Sequence, residues 1–378
     1  MRRRASVSSW GAGMVGVDLN FVLASDEVAW PSSSSLGASN WMATEALPPR
    51  HDDGQRPRNN AKKGTMEVFM TATNRFAGVH TALVTPFDRD GAIDHSALTE
   101  ILAMQRMDGI SGVVLAGSTG EAPTLTMAER IELVKTAKDH SKDMPIIVGA
   151  GSNCTKDAVL LQKTMEDAGA DATMQVVPYY NKPTQRGMFE HFSAIAKAAK
   201  IPVFLYNASG RTGVDLMPKT IGALVKEHEN IVGIKDANTN MERLCDLCLL
   251  TKTVRPQFLI MSGEDSALLP FLALGGDGVV SVASHIATSE MMALYHAAQN
   301  GDLIYAQKIA QKMNGLCKLL HSHPNPIPIK TIMASMGLLE KSFRLPLCAL
   351  SSDEEAVLLK NLAEFAWIKQ LKTRGLLQ

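Results

Sequence analysis

Cysteine is scarce in this chain of 378 residues: there are five, scattered along its length. That is too few for a disulfide framework and points to a reducing compartment. Cys245 and Cys248 form a C-x-x-C, but no second Cys or His pair at zinc-site spacing accompanies them. They fall in MERLCDLCLL, an amphipathic helical pattern, so ordinary helix packing is favoured over metal or redox work. Excess charge is missing too. Lys+Arg and Asp+Glu number 38 each, which leaves no global basic field to attract nucleic acid or an anionic membrane. No stretch is apolar enough, for long enough, to span a bilayer.

Residues 1–75 lack apolar periodicity and are rich in Ser, Pro, Gly and Asn, the composition of a disordered N-terminal extension. The basic, Ser-rich start MRRRASVSS fits an organelle transit peptide, which would place the protein in a plastid rather than the cytoplasm. Asp18, Asp26, Glu27, Glu45, Asp52 and Asp53 count against that reading. An upstream start, with true initiation near Met66 or Met70, is a third reading. No clean apolar core follows the Arg run, so the segment is not a secretory signal.

From Phe76 short β-type runs alternate with helical patterns. Strands are expected at Val79–Phe87, Gly112–Gly117, Pro145–Gly151, Asp171–Pro178, Pro202–Ala208, Ile231–Asn238, Gln257–Gly263 and Gly278–Ser284, each followed by a helix. Near-continuous apolar strands separated by single helices imply parallel pairing with both faces covered. Eight such units match the (β/α)8 TIM barrel in count and length. A doubly wound open sheet would carry a Gly-rich phosphate turn after its first strand, and TPFDRDG is not one. The barrel is expected over residues 76–300. A C-terminal helical appendage, residues 301–378, follows with helices at Leu303–Leu320, Pro328–Leu338 and Glu354–Leu371.

In such barrels chemistry sits at the C-terminal ends of the strands. The sixth strand, IVGIKDAN, ends in a lysine, Lys235. Alternation puts Gly233, Lys235 and Ala237 on one face and Val232 and Ile234 on the other, so small neighbours leave room around the amine. A desolvated lysine is a good carbonyl nucleophile, the basis of Schiff-base catalysis. The same stretch also fits a sheet-edge lysine that snorkels to water. The other strand ends decide between these readings. By alternation Tyr206, on the fifth strand, shares a face with Phe204 and Ala208 and points inward at Lys235, where a phenol can shuttle protons. Arg211, on a Gly-flanked loop, is suited to hold a carboxylate bidentately, and equally reads as an exposed loop residue. The second strand ends in AGSTGE, where Ser118 and Thr119 between two glycines form a cradle for a small carboxylate or merely a helix-capping turn. Tyr179 and Tyr180, ending the fourth strand, read first as packing or interface residues.

The motifs LVTPF, GSTGE, PYYNKP, YN followed by RTG, GIKDA, GGDGVVS and NPIP occur in one order from Phe76 onward. In this the chain resembles the pyruvate-dependent aldolase family of dihydrodipicolinate synthase and N-acetylneuraminate lyase. The resemblance implies that Lys235 forms a Schiff base with pyruvate and that Tyr206 donates and accepts protons. Ser118 and Tyr180 complete a relay with Tyr206, Tyr180 coming from a neighbouring subunit. Thr119 and the backbone at Val280 bind pyruvate, and Arg211 holds the carboxylate of the aldehyde. No cofactor and no metal are implied, and a homotetramer, a dimer of dimers, is.

PYYNKP, the arginine before Thr212-Gly213, and NPIP resemble the synthases, which condense pyruvate with L-aspartate 4-semialdehyde to 4-hydroxy-tetrahydrodipicolinate, on the path to diaminopimelate and lysine. Two positions depart from that pattern. Ser118 stands where synthases usually have Thr and lyases have Ser, and Ala208-Ser209-Gly210 stands where Val-Pro-Ser is usual. The alternatives are therefore a lyase of the family acting on N-acetylneuraminate or 4-hydroxy-2-oxoglutarate, or, more remotely, a barrel that binds a small ligand without catalysis. In lysine-regulated members the effector site would correspond to Ala122, Met127, Arg130, Asn153, Asp157 and Tyr179. Met127 and Arg130 stand where inhibited bacterial enzymes have histidines.

Overall fold

The computed structural model describes residues 74–365. Apart from residues 74 and 75, the expectations for the 1–75 segment lie outside the described residues, as does the predicted end of the last helix at Leu371. Eight strands form a closed, wholly parallel barrel in sequence order: β1 (Gly78–Ala82), β2 (Gly112–Leu115), β3 (Ile146–Gly149), β4 (Ala172–Val176), β5 (Val203–Asn207), β6 (Ile231–Asp236), β7 (Leu259–Ser262) and β8 (Gly278–Ser281), with β8 pairing back to β1. The helices are α1 (His95–Met107), α2 (Met127–Ser141), α3 (Thr155–Asp167), α4 (Gln185–Ala198), the single turn α5 (Ser209–Thr212), α6 (Pro218–Glu227), α7 (Met241–Lys252), α8 (Leu268–Ala273) and α9 (Ser284–Gln299). Beyond the barrel come α10 (Leu303–Leu320), α11 (Ile327–Ser335) and α12 (Ser352–Ala363). This is the expected (β/α)8 barrel with C-terminal helices. Among the described residues no helix is long and apolar enough to cross a membrane.

Local sequence explains the helix starts. Asp94, Thr184 and Asn240 accept backbone N–H groups as N-caps, and Thr126 with Glu129 forms a full capping box. Apolar residues facing outward from the strands pack against the helices. A second set, including Phe76, Val114, Ile147, Met174, Phe204, Leu259 and Met261, fills the barrel interior. Phe76 lies edge-on against Phe204, ring centroids 5.6 Å apart.

Three expectations are corrected. The first strand stops at Ala82 rather than Phe87, because the Val84 N–H donates to His285 Nε2 instead of a neighbouring strand. The eighth stops at Ser281 rather than Ser284, because the N–H groups of Val282 and Ala283 donate to the Asp265 carboxylate. In β6 strict alternation fails. The register slips by one residue, Val203 pairing with Ile231 but Phe204 with Gly233. This bulge turns Val232 into the interior cluster while Ile234 packs outward. Gly233 does leave room, but for Phe204: a Cβ there would lie 2.5 Å from that ring's Cε1 and 2.9 Å from the Leu259 carbonyl oxygen.

Candidate active site

Lys235 and Tyr206 are direct register partners across β5 and β6. The Lys235 ammonium nitrogen lies 4.4 Å from the centre of the Tyr206 ring, and both residues keep about 9% exposure, on the mouth side of the interior cluster. They open onto a cavity of about 120 Å³. Ser118, Thr119, Arg211 and Val280 line the same cavity, so six of the seven residues singled out in the sequence converge. Tyr180 does not. It stands 88% exposed on the loop after β4, with a left-handed φ of +73° that a tyrosine rarely adopts.

The strand ends carrying Tyr206 and Lys235 are pinned from behind. Asp236 is buried and accepts from Arg243 Nε at 2.8 Å and Asn207 Nδ2 at 3.0 Å. Arg243 also donates to Asp215 at 3.1 Å and to the Leu216 carbonyl at 2.7 Å. Burial raises the Asp236 pKa, and Arg243 opposes the rise.

The Ser118-Thr119 turn is built by its own backbone. The Glu121 N–H donates to the Ser118 carbonyl and the Ala122 N–H to the Gly117 carbonyl, each at 3.1 Å. Thr85 Oγ1 donates to the Gly120 carbonyl at 2.7 Å. Asn325, from the C-terminal region, donates its amide to Thr119 Oγ1 at 2.8 Å and lines the cavity. At the rim His321 pairs with Glu264 at 3.1 Å, and that carboxylate holds the imidazole pKa up to about 9. Both also line the cavity.

A second cavity, about 390 Å³, runs from Lys235 past the turn to Ala122, Arg130 and Tyr179, three of the six effector positions. Arg130 spends its guanidinium on the carbonyls of Gly149 and Ala122. Burial lowers its pKa, and Tyr179 opposes that shift. Asn153 donates to the Tyr179 carbonyl at 3.2 Å. Cys245 and Cys248 both lie on α7, as the helical pattern implied, and among the described residues no group of three or more His, Cys, Asp or Glu could hold a metal ion.

Asn325, Glu264 and His321 escaped the sequence reading. Asn325 had a signal, since it opens the quoted NPIP, but nothing local tells which strand end it faces. Glu264 lies two residues past the end of β7, and its signal was that position beside a strand end.

A family model described as the dihydrodipicolinate synthetase family matches residues 75–364. The chain belongs to the dihydrodipicolinate synthetase family. A 4-hydroxy-tetrahydrodipicolinate synthase of Maridesulfovibrio salexigens is 44% identical over 284 residues, covering 75% of this chain and 96% of the relative. One of Bacillus subtilis is 42% identical over 290 residues, covering 76% and 99%. The crystal structure of dihydrodipicolinate synthase from Aquifex aeolicus superposes with a TM-score of 0.74 at 38% identity, covering 77% of this chain and 98% of that one. The chain is thus an enzyme of a lyase family.

Proposed function

We propose that this protein condenses pyruvate with L-aspartate 4-semialdehyde to give 4-hydroxy-tetrahydrodipicolinate and water. The observation that carries the reading is the Lys235–Tyr206 pair at 4.4 Å, opening onto a cavity that Ser118, Thr119, Arg211 and Val280 line. The Lys235 amine attacks C2 of pyruvate and water leaves, forming an imine. Loss of a C3 proton gives the enamine, whose C3 attacks the aldehyde carbon. The substrate's own amine then attacks C2 and displaces Lys235, closing the ring. The imine is the electron sink, so the mechanism calls for no metal or organic cofactor.

Each side chain has a task in this scheme. The Tyr206 hydroxyl moves protons to and from the forming carbinolamine. Thr119 and the backbone at Val280 hold the pyruvate carboxylate, and Arg211 holds that of the aldehyde. Ser118 relays protons from Tyr206 toward Tyr180 of a second copy. The exposure and strained backbone of Tyr180 support a role outside its own barrel, and a dimer of dimers is the assembly proposed. A cytoplasmic location is proposed with it.

The test is turnover on a panel of aspartate 4-semialdehyde with pyruvate, N-acetylneuraminate and 4-hydroxy-2-oxoglutarate. Preference for the first by an order of magnitude or more in kcat/KM is expected. Faster cleavage of either 2-oxo acid would move the chain to the lyase branch.

A further inference from the structure

The Lys330–Glu121 pair is the most deeply enclosed charge pair among the described residues, with both side chains at 0% exposure and Nζ to Oε1 at 2.7 Å. Nothing in the chemistry proposed above uses it. Glu121 closes the Ser118-Thr119 turn in a left-handed conformation, φ +54°, which non-glycine residues adopt only when their surroundings over-determine it. Its carboxylate is held by two residues of the C-terminal region. Oε1 takes the Lys330 ammonium, and Oε2 accepts the Arg344 backbone N–H at 3.1 Å. The ammonium lies 4.5 and 4.9 Å from the centres of the Phe87 and Phe343 rings, and Lys330 is fully buried, so the cation is enclosed where the carboxylate meets it. Five residues earlier in the same segment, Asn325 donates to Thr119 Oγ1 at 2.8 Å. The C-terminal region therefore grips one turn at two points, residues 119 and 121.

We propose that Lys330 and Glu121 are positioning residues for pyruvate: the buried pair locks the turn so that the Thr119 hydroxyl and the neighbouring backbone N–H groups are set for the substrate carboxylate before it arrives. The inference rests on the proposed function, since it needs pyruvate to bind at this turn. A buried ion pair is a poor way to gain stability, because an apolar pair of similar volume often serves as well. It is a good way to impose one geometry, since neither charge tolerates a displaced partner in so enclosed a shell.

That distinction supplies the test. In the full chain, Glu121→Leu/Lys330→Met replaces the pair by apolar volume, and Leu224→Ala, in the distant outer core, serves as a control for lost stability alone. The readout is the pyruvate concentration giving half-maximal borohydride inactivation at Lys235, alongside pyruvate KM and kcat. The double variant is expected to fold and to need at least tenfold more pyruvate for trapping. Its limiting inactivation rate should change less than threefold, and Leu224→Ala should leave the pyruvate requirement unchanged. A folded double variant with the wild-type pyruvate requirement overturns the proposal, as does an equal shift in the control. If the double variant does not fold, Glu121→Gln and Lys330→Gln are read the same way: at least a fivefold rise supports positioning, and no rise overturns it. Failure of wild-type protein to trap pyruvate at all is a different result, which removes the proposed function instead.

Discussion

Gly233→Ala adds one methyl group to β6, two residues before Lys235. The new carbon would sit 2.5 and 2.8 Å from two atoms of the Phe204 ring and 2.9 Å from the Leu259 carbonyl oxygen. The ring cannot simply turn aside, being fully buried and held edge-on by Phe76. The carbonyl belongs to β7, whose ladder with β6 pairs Gly233 with Leu259. Overpacking of this kind costs about 1–3 kcal/mol, and a contact with backbone argues for the upper half of that range. For a domain of this size each kcal/mol lowers Tm by roughly 2–4 °C, so a fall of about 4–12 °C is expected. The strain falls on β5 and β6, the strands whose pairing sets Tyr206 against Lys235, so kcat should fall about tenfold or more. Phe204→Leu in the same chain should recover part of the stability, giving a favourable coupling energy in a double-mutant cycle. Thermal unfolding and steady-state rates check both. A Gly233→Ala protein within 1 °C or so of wild type, at full rate, would refute the packing argument.

Acid should weaken the fold through histidines kept neutral. His285 donates from Nδ1 to the Val282 carbonyl and accepts the Val84 N–H at Nε2, so a second ring proton has no place. Burial lowers His285 and His80 to about 4, below the ordinary 6.5, so their stabilisation is complete above pH 6.5 and lost as pH falls toward 4. Each contributes up to ~3 kcal/mol by linkage, and a Tm flat between pH 7 and 4.5 would contradict this. Tyr180→Phe should lower turnover while leaving the assembly intact by light scattering, and a fully active monomer would refute the shared site. Inhibition by lysine should be weak or absent, because Met127 and Arg130 stand at two of the effector positions and Arg130 is tied to the Gly149 and Ala122 carbonyls, bonds that turning toward an effector would break. A midpoint below about 1 mM in an inhibition curve, equivalent to roughly 4 kcal/mol of binding, would show that Arg130 is released when lysine arrives.

The eightfold alternation was readable because each buried parallel strand writes itself as an apolar run, and chemistry at strand ends follows from the architecture. Lys235 and Tyr206 could be paired in advance, since alternation and strand order alone face them across β5 and β6. The bulge at Val232 could not, because it depends on the fit of Phe204 against Gly233 from another strand. The early ends of β1 and β8 were equally hidden, being set by side chains far along the chain, His285 and Asp265, that take backbone donors from the ladder. Glu121 lay inside a quoted motif, yet its partner Lys330 is 209 residues away, and nothing in GSTGE says which cation it meets. Tyr180 stands outside the cavity, and no residue near it in the sequence tells what its exposed ring would meet.

The proposed function turns on Lys235 as the Schiff-base nucleophile. Wild-type protein treated with pyruvate and borohydride, digested and sequenced by mass spectrometry, should carry the reduced pyruvyl adduct on Lys235, and Lys235→Ala should carry none and turn over no substrate. An adduct on another lysine, or turnover surviving in Lys235→Ala, would contradict the account.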